Sequence, residues 1–253
     1  MTGPGPTALE EAVRVCEAAA GEGITVRLAG GLAIQYLTPG FPPRGGDRQD
    51  LDLATLSSDR RQLTQFLADR GYVADKTFNA LYGHKQLYFQ SAETGRSLDV
   101  LVDRLHMCHT VEFKDRLRRM PVTLDLTDLL LTKLQIVELN EKDAQDVLYL
   151  CSAYPVRDGD EPGTIGLDRI RPIVGNDWGW WRTVTLNLDR ITALAGGDGQ
   201  GLVPAGGEHD AVEQLAVLAK AIDATPKSLR WKARAKVGER VRWYEMPEET
   251  PHH

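Results

Sequence analysis

Ile24, Val26 and Leu28 alternate with polar residues and run directly into Gly30-Gly31, after which Leu32 to Leu37 reads as helix. Apolar residues at a period of two mark a strand, and paired glycines at its exit mark a tight turn. Residues 38 to 49 (TPGFPPRGGDRQ) hold too many Gly and Pro for regular structure and read as a loop. Residues 50 to 56 (DLDLATL) then read as a second strand, with Leu51, Leu53 and Leu56 turned to a core.

The flanking sequence extends this pattern. Residues 7 to 20 read as a helix with Leu9, Val13, Cys16 and Ala20 near one face, closed by Gly21 and Gly23. Ser57 or Ser58 is expected to cap a helix running to about Arg70. Residues 84 to 90 and 96 to 103 read as paired strands joined by a turn at Glu93 to Gly95. After Pro121 the signal becomes helical. Asp125 or Thr127 opens a helix to about Leu139, and a second runs from Glu141 to about Ser152. Residues 155 to 165 read as a polar loop, followed by helices near 167 to 174, 178 to 195 and 209 to 223, with a Gly/Pro-rich stretch at 196 to 207. The expected class is α+β, with a small mixed sheet and helices in residues 1 to 122 and a mostly helical part in residues 123 to 253.

Hydrophobic residues make up 42% of the 253, enough for a sizeable core. The apolar stretches are short, such as Leu129 to Leu131, far from the ~18 residues of a membrane helix. No basic and apolar leader precedes residue 7, and three scattered cysteines (Cys16, Cys108, Cys151) suit a reducing compartment. A cytoplasmic protein with no membrane partner is therefore expected. The net charge of -6 argues against a wholly electrostatic nucleic-acid binder. Residues 226 to 242 nevertheless carry seven Lys/Arg and one Glu, which leaves the remainder at -12. Such asymmetry points one end toward phosphate.

Asp50 and Asp52 are two apart in a strand, so both carboxylates project to one face while Leu51 points the other way. Two hard oxygen ligands at that spacing suit Mg²⁺ or Mn²⁺, which takes carboxylates together with substrate phosphates. A solvated strand face is the plainer reading of two acids alone. Gly30 and Gly31, between a strand and a helix start, let backbone N–H groups approach a phosphate. Arg48, and less so Arg44, stand where they could reach the same anion. Asp99 sits in the alternating strand Ser97-Leu98-Asp99-Val100-Leu101-Val102, and an acid among apolar neighbours needs a partner, a metal or a substrate hydroxyl. Asp103, at the strand end, is the weaker candidate.

Residues 28 to 54 resemble the glycine motif and paired-aspartate motif of the DNA polymerase β-like nucleotidyltransferases. That resemblance implies the nucleotidyltransferase fold and a metal-dependent enzyme. It would move a nucleoside monophosphate from an NTP to an acceptor hydroxyl or phosphate, releasing pyrophosphate. It implies that Gly30 and Gly31 hold the triphosphate, that Asp50 and Asp52 bind metal, and that Asp99 completes the metal site or activates the acceptor. Gly-Gly stands where many members have Gly-Ser, and the gap from Gly31 to Asp50 is longer than in compact members. Residues 128 to 150 (DLLLTKLQIVELNEKDAQDVLYL) are similar to the helix pair of the AbiEii-like branch, which includes toxins of type IV toxin–antitoxin systems. Lys133, Asp143 and Asp146 fall on its Lys and Asp-x-x-Asp positions. That likeness implies a Lys133 that neutralises triphosphate, with Asp143 and Asp146 orienting it or the base, and a cognate antitoxin as partner.

Three further clusters stand outside these motifs. His106-Met107-Cys108-His109 has metal-capable side chains but lacks the separated pairs that zinc prefers, and reads as core or site wall. Trp178, Trp180 and Trp181 read as core anchors. Residues 226 to 244 interleave basic residues with Trp231, Trp243 and Tyr244, a composition able to hold RNA or tRNA. Three functions stay open: an RNA-directed transferase, a small-molecule transferase of the antibiotic-modifying kind, and a non-catalytic nucleotide- or partner-binding module.

Overall fold

The computed structural model describes residues 6–43, 50–197 and 200–246. The chain divides into two compact units, one of Met1–Leu105 with Glu112–Asp125 and one of His106–Val111 with Leu126–His253. The class is α+β: a small mixed sheet with helices in the first unit and a mostly helical second unit.

In the first unit, helix α1 (Ala8–Gly21) begins at a capping box in which Thr7 and Glu10 satisfy each other's backbone N–H groups. Ala8, Ala12, Val15, Cys16 and Ala19 form its buried face. Strand β1 (Val26–Leu28) leads into α2 (Gly30–Leu37), and β2 (Leu51–Thr55) follows. Next come α3 (Arg60–Ala68), β3 (Tyr72–Ala74), α4 (Lys76–Tyr82), β4 (Gln86–Ser91) and β5 (Ser97–Val102). The sheet order is β1-β2-β5-β4-β3. Only β2 and β5 are parallel; the other pairs run antiparallel. Leu51, Leu53, Leu98, Val100, Leu87 and Phe89 bury one face of the sheet. The positions between them in sequence point to the opposite face, and there Asp52, Asp99, Gln86 and Tyr88 are half-buried.

Glu11, on the buried side of α1, pins that helix to the β4–β5 turn. It accepts from Tyr72 Oη at 2.8 Å, Arg96 Nη1 at 2.7 Å and Thr94 Oγ1 at 3.1 Å. Burial, then the Glu11 carboxylate, pushes the Tyr72 hydroxyl pKa far up. Neither Ser57 nor Ser58 caps α3 as expected. The Ser57 N–H donates to Asp103 Oδ1 at 2.9 Å, and Asp59 occupies the cap position without a capping bond, its carboxylate accepting instead from Thr25 N and Ser58 Oγ.

Strands β6 (Arg104–His106) and β7 (Thr110–Glu112) form a separate hairpin. In the second unit all nine residues of α5 (Leu126–Leu134) are buried, as befits a helix packed on every side. It contacts α6 (Glu141–Ala153), α7 (Leu167–Asn176) and α8 (Trp178–Gly196), and α9 (Ala211–Ala224) closes on α6, α7 and α8. Helix α5 stops at Leu134 rather than near Leu139, because Asn187 Nδ2 takes the Leu134 and Ile136 carbonyls at 2.9 and 2.7 Å. The supposed polar loop at 155 to 165 holds the short parallel pair β8 (Val156–Arg157) and β9 (Ile165–Gly166). Helix α10 (Leu229–Ala235) follows a Ser228 cap. Among the described residues no helix is long and apolar enough to cross a membrane.

Candidate functional site

The first unit gathers Gly30, Gly31, Asp50, Asp52 and Asp99 about the open face of its sheet. Asp52 and Asp99 stand opposite each other on the parallel pair β2–β5. Register partners share a face, and adjacent strands lie about 4.8 Å apart, so the two carboxylates are side by side. Asp50 precedes β2 and is exposed. Gly30 has φ +58°, a left-handed conformation that suits glycine. A Cβ there would stand 2.1 Å from Asp52 Oδ2 and 2.9 Å from its Cγ. The turn into α2 and the Asp52 carboxylate are thus in direct apposition, and glycine is needed for conformation and for space. Ala29 N donates to the Asp52 carbonyl at 2.8 Å, which ties the turn to the strand.

The sheet adds two residues that the motif reading passed over. Gln86 Nε2 donates to Asp99 Oδ1 at 2.6 Å, which fixes the carboxylate's orientation. Tyr88 lies across from Asp99 in the β4–β5 register and shares a hydrogen bond with Ser97 Oγ at 2.9 Å. The signal for both was the hairpin: a turn centred near Glu93 to Gly95 sets which β4 residue faces Asp99.

Asp103 is structural. It has φ +63°, accepts from Ser57 N, and lies 3.5 Å from Lys114 Nζ. Burial works against its charge, but the Ser57 and Lys114 contacts prevail and hold its pKa below the ordinary value. Arg44 and Arg48 lie outside the described residues.

Lys133, Asp143 and Asp146 belong to the second unit, where the structure brings them together. Lys133 Nζ lies 2.8 Å from Asp143 Oδ1 and 2.9 Å from Asp146 Oδ2, and all three residues are buried. Burial pulls the lysine pKa down, but the Asp146 and Asp143 charges reverse this and raise it. Asn140 caps α6 by accepting from Asp143 N at 3.0 Å, which presents both acids on one helical face toward α5.

The His106–His109 run is divided in use. His109 is buried against Trp180, with ring centres 4.9 Å apart, and its Nε2 meets Thr183 Oγ1 at 2.8 Å. His106 is exposed and pairs with Glu245 at 2.7 Å. Among the described residues no group of three or more His, Cys, Asp or Glu side chains is arranged to hold a metal ion. The donor chemistry of Asp52 and Asp99 fits Mg²⁺ in a different way: this ion commonly uses one or two carboxylates and completes its shell with water and substrate phosphates.

No family model matches the chain, and no curated protein matches it. Among solved structures it is similar to an antigenic nucleotidyltransferase-like protein from Paracoccidioides brasiliensis, at 14% identity and a TM-score of 0.43. That likeness covers 87% of this chain and 94% of the other.

Proposed function

We propose that the chain is a metal-dependent nucleotidyltransferase that moves a nucleoside monophosphate from an NTP to an acceptor oxygen. The observation that carries this reading is the in-register Asp52–Asp99 pair, with the Gly30 turn against Asp52. A glycine turn into a helix offers backbone N–H groups and a positive dipole end to phosphate. Two adjacent carboxylates offer oxygen ligands where those phosphates arrive.

Asp52 and Asp99 would hold the divalent cation, with Asp50 as a further oxygen donor from the exposed edge. The cation, when bound, would stabilise charge developing on the α-phosphate and leaving pyrophosphate. Gly30 and Gly31 would bind the triphosphate. Asp99, oriented by Gln86, would hold the acceptor hydroxyl and receive its proton. The acceptor oxygen then bonds to the α-phosphorus as the bond to the pyrophosphate oxygen breaks, and pyrophosphate leaves. Within the second unit, Lys133 has three N–H donors, two of which are taken by Asp143 and Asp146. The basic, aromatic segment 226 to 244 favours an RNA acceptor over a small cationic one.

The test is incubation with each NTP labelled at the α-phosphate, Mg²⁺ and total RNA. Label carried into RNA supports the full reading, and label on a small molecule supports the transfer with a different acceptor. NTP binding with no transfer to any acceptor would leave a nucleotide-binding module, and the transferase reading would fall.

A further inference from the structure

The second unit has an open cavity of about 450 Å³, lined in part by the basic segment 226 to 244 and distinct from the Asp52–Asp99 sheet face. Its size falls within the ~300–1,000 Å³ of small-molecule sites. Its walls come from the start of α8, residues 108 to 110, α10 and the segment after α10. Gly179 makes room for that segment: a Cβ there would lie 2.5 Å from the Trp243 carbonyl oxygen. Trp243 is held by its Nε1 donating to Thr183 Oγ1 at 3.0 Å and by its edge-on contact with Trp178 at 6.0 Å.

Three arginines line the cavity, Arg230 and Arg234 one helical turn apart on α10 and Arg242 beyond it. Arg234 is already engaged, donating to the Gly238 and Val241 carbonyls at 2.7 Å each. Among the described residues, the side chains of Arg230 and Arg242 make no hydrogen bond or ion pair, though Arg242 lies 5.8 Å from the Tyr244 ring centre. The two acids in the wall are committed elsewhere. Asp177 caps α8 by accepting from Trp180 N, and Glu245 pairs with His106. A chain of net charge -6 thus leaves two guanidinium groups without a carboxylate beside the half-buried rings of Trp243 and Tyr244. Guanidinium forks suit phosphate oxygens, and exposed aromatic faces suit a base.

We infer that this cavity binds a nucleoside phosphate, with Arg230 and Arg242 on the phosphate and Trp243 or Tyr244 stacked on the base. The ligand is either a free mononucleotide or the terminal nucleotide of a single-stranded RNA. The site lies within one unit and stands whether or not the chain transfers nucleotides.

Tryptophan fluorescence of the full chain, titrated in EDTA, tests this with inorganic phosphate, the four nucleoside 5′-monophosphates and a mixed-sequence hexaribonucleotide. Saturable binding of a nucleotide ligand is expected. The double variant R230Q/R242Q, altered only at exposed positions, should weaken it at least tenfold with an unchanged far-UV spectrum. Tyr244→Leu should weaken nucleotide binding but not phosphate binding. Asp52→Asn should bind as the wild type does, which separates this cavity from the candidate transfer site. Mononucleotides binding as tightly as the hexamer identify a free nucleotide; a hexamer at least tenfold tighter identifies a strand end. Absence of saturable binding, wild-type affinity in R230Q/R242Q, inorganic phosphate binding as tightly as nucleotides, or loss of binding in Asp52→Asn would each overturn it.

Discussion

Gly30→Ala probes the contact on which the candidate site is built. The residue has φ +58°, where a side chain costs about 1–2 kcal/mol. Its new Cβ would fall 2.1 Å from Asp52 Oδ2, where ordinary contact begins near 3.4 Å, so the carboxylate must retreat by more than about 1 Å. A misplacement of ~1 Å at a reacting centre can cost ~100-fold in rate. The variant should therefore lose about 2–3 kcal/mol in urea denaturation, combining backbone strain with repacking, and transfer about two orders of magnitude more slowly. In an Asp52→Ala background the carboxylate is gone, and the stability cost of Gly30→Ala should fall to the strain alone, a coupling of at least ~1 kcal/mol. Equal costs of Gly30→Ala in the two backgrounds would refute the apposition of turn and carboxylate.

Two further perturbations follow from buried charges in the second unit. Lys133→Met leaves Asp143 and Asp146 facing each other and should cost about 3–5 kcal/mol in urea denaturation, most of it recovered when both acids become Asn. Because the Lys133 pKa is raised by those acids, its stabilisation is complete below the ordinary lysine value near ~10.4 and is lost as pH rises through the raised value. An alkaline unfolding scan in which the wild type and the triple variant lose stability alike contradicts this. His109 works in the other direction. Burial, against the opposing charges of Asp177 and Glu245, lowers its pKa from 6.5 to about 4. The folded state keeps the ring neutral while the unfolded chain takes up a proton, so stability is full above pH 6.5 and falls as pH drops toward 4. Urea midpoints across that window should decline in the wild type and flatten in His109→Gln.

Long, periodic segments were legible in the sequence. The helix read over residues 7 to 20 is α1, although its buried face shares only Cys16 with the residues expected there, and the alternation around Gly30 and Asp52 located β1, α2 and β2. Strand β3 and helix α4, with three and seven residues, were too short to show a period. The end of α5 was hidden because it depends on Asn187, distant in sequence. The Ser57 and Ser58 caps failed because the helix starts later, with Asp59 at the cap position and the Ser58 hydroxyl donating to Asp59 Oδ1. The candidate site divides along the same line. Asp50, Asp52 and Asp99 could be marked as strand acids, but the adjacency of Asp52 to Asp99 requires β5 to pair parallel with β2 instead of only with its hairpin partner β4. Local patterning carries no record of that choice. The cluster of Lys133 with Asp143 and Asp146 needed only two neighbouring helices, and resemblance to a known helix pair named its members in advance.

Pyrophosphate release is the most direct test of the Asp52–Asp99 pair. The purified chain, given NTP, Mg²⁺ and RNA, should release pyrophosphate in step with label entering the acceptor. Asp52→Asn and Asp99→Asn should each abolish release while the proteins remain folded. Release at the wild-type rate in either variant would contradict the assignment of this sheet face as the transfer site.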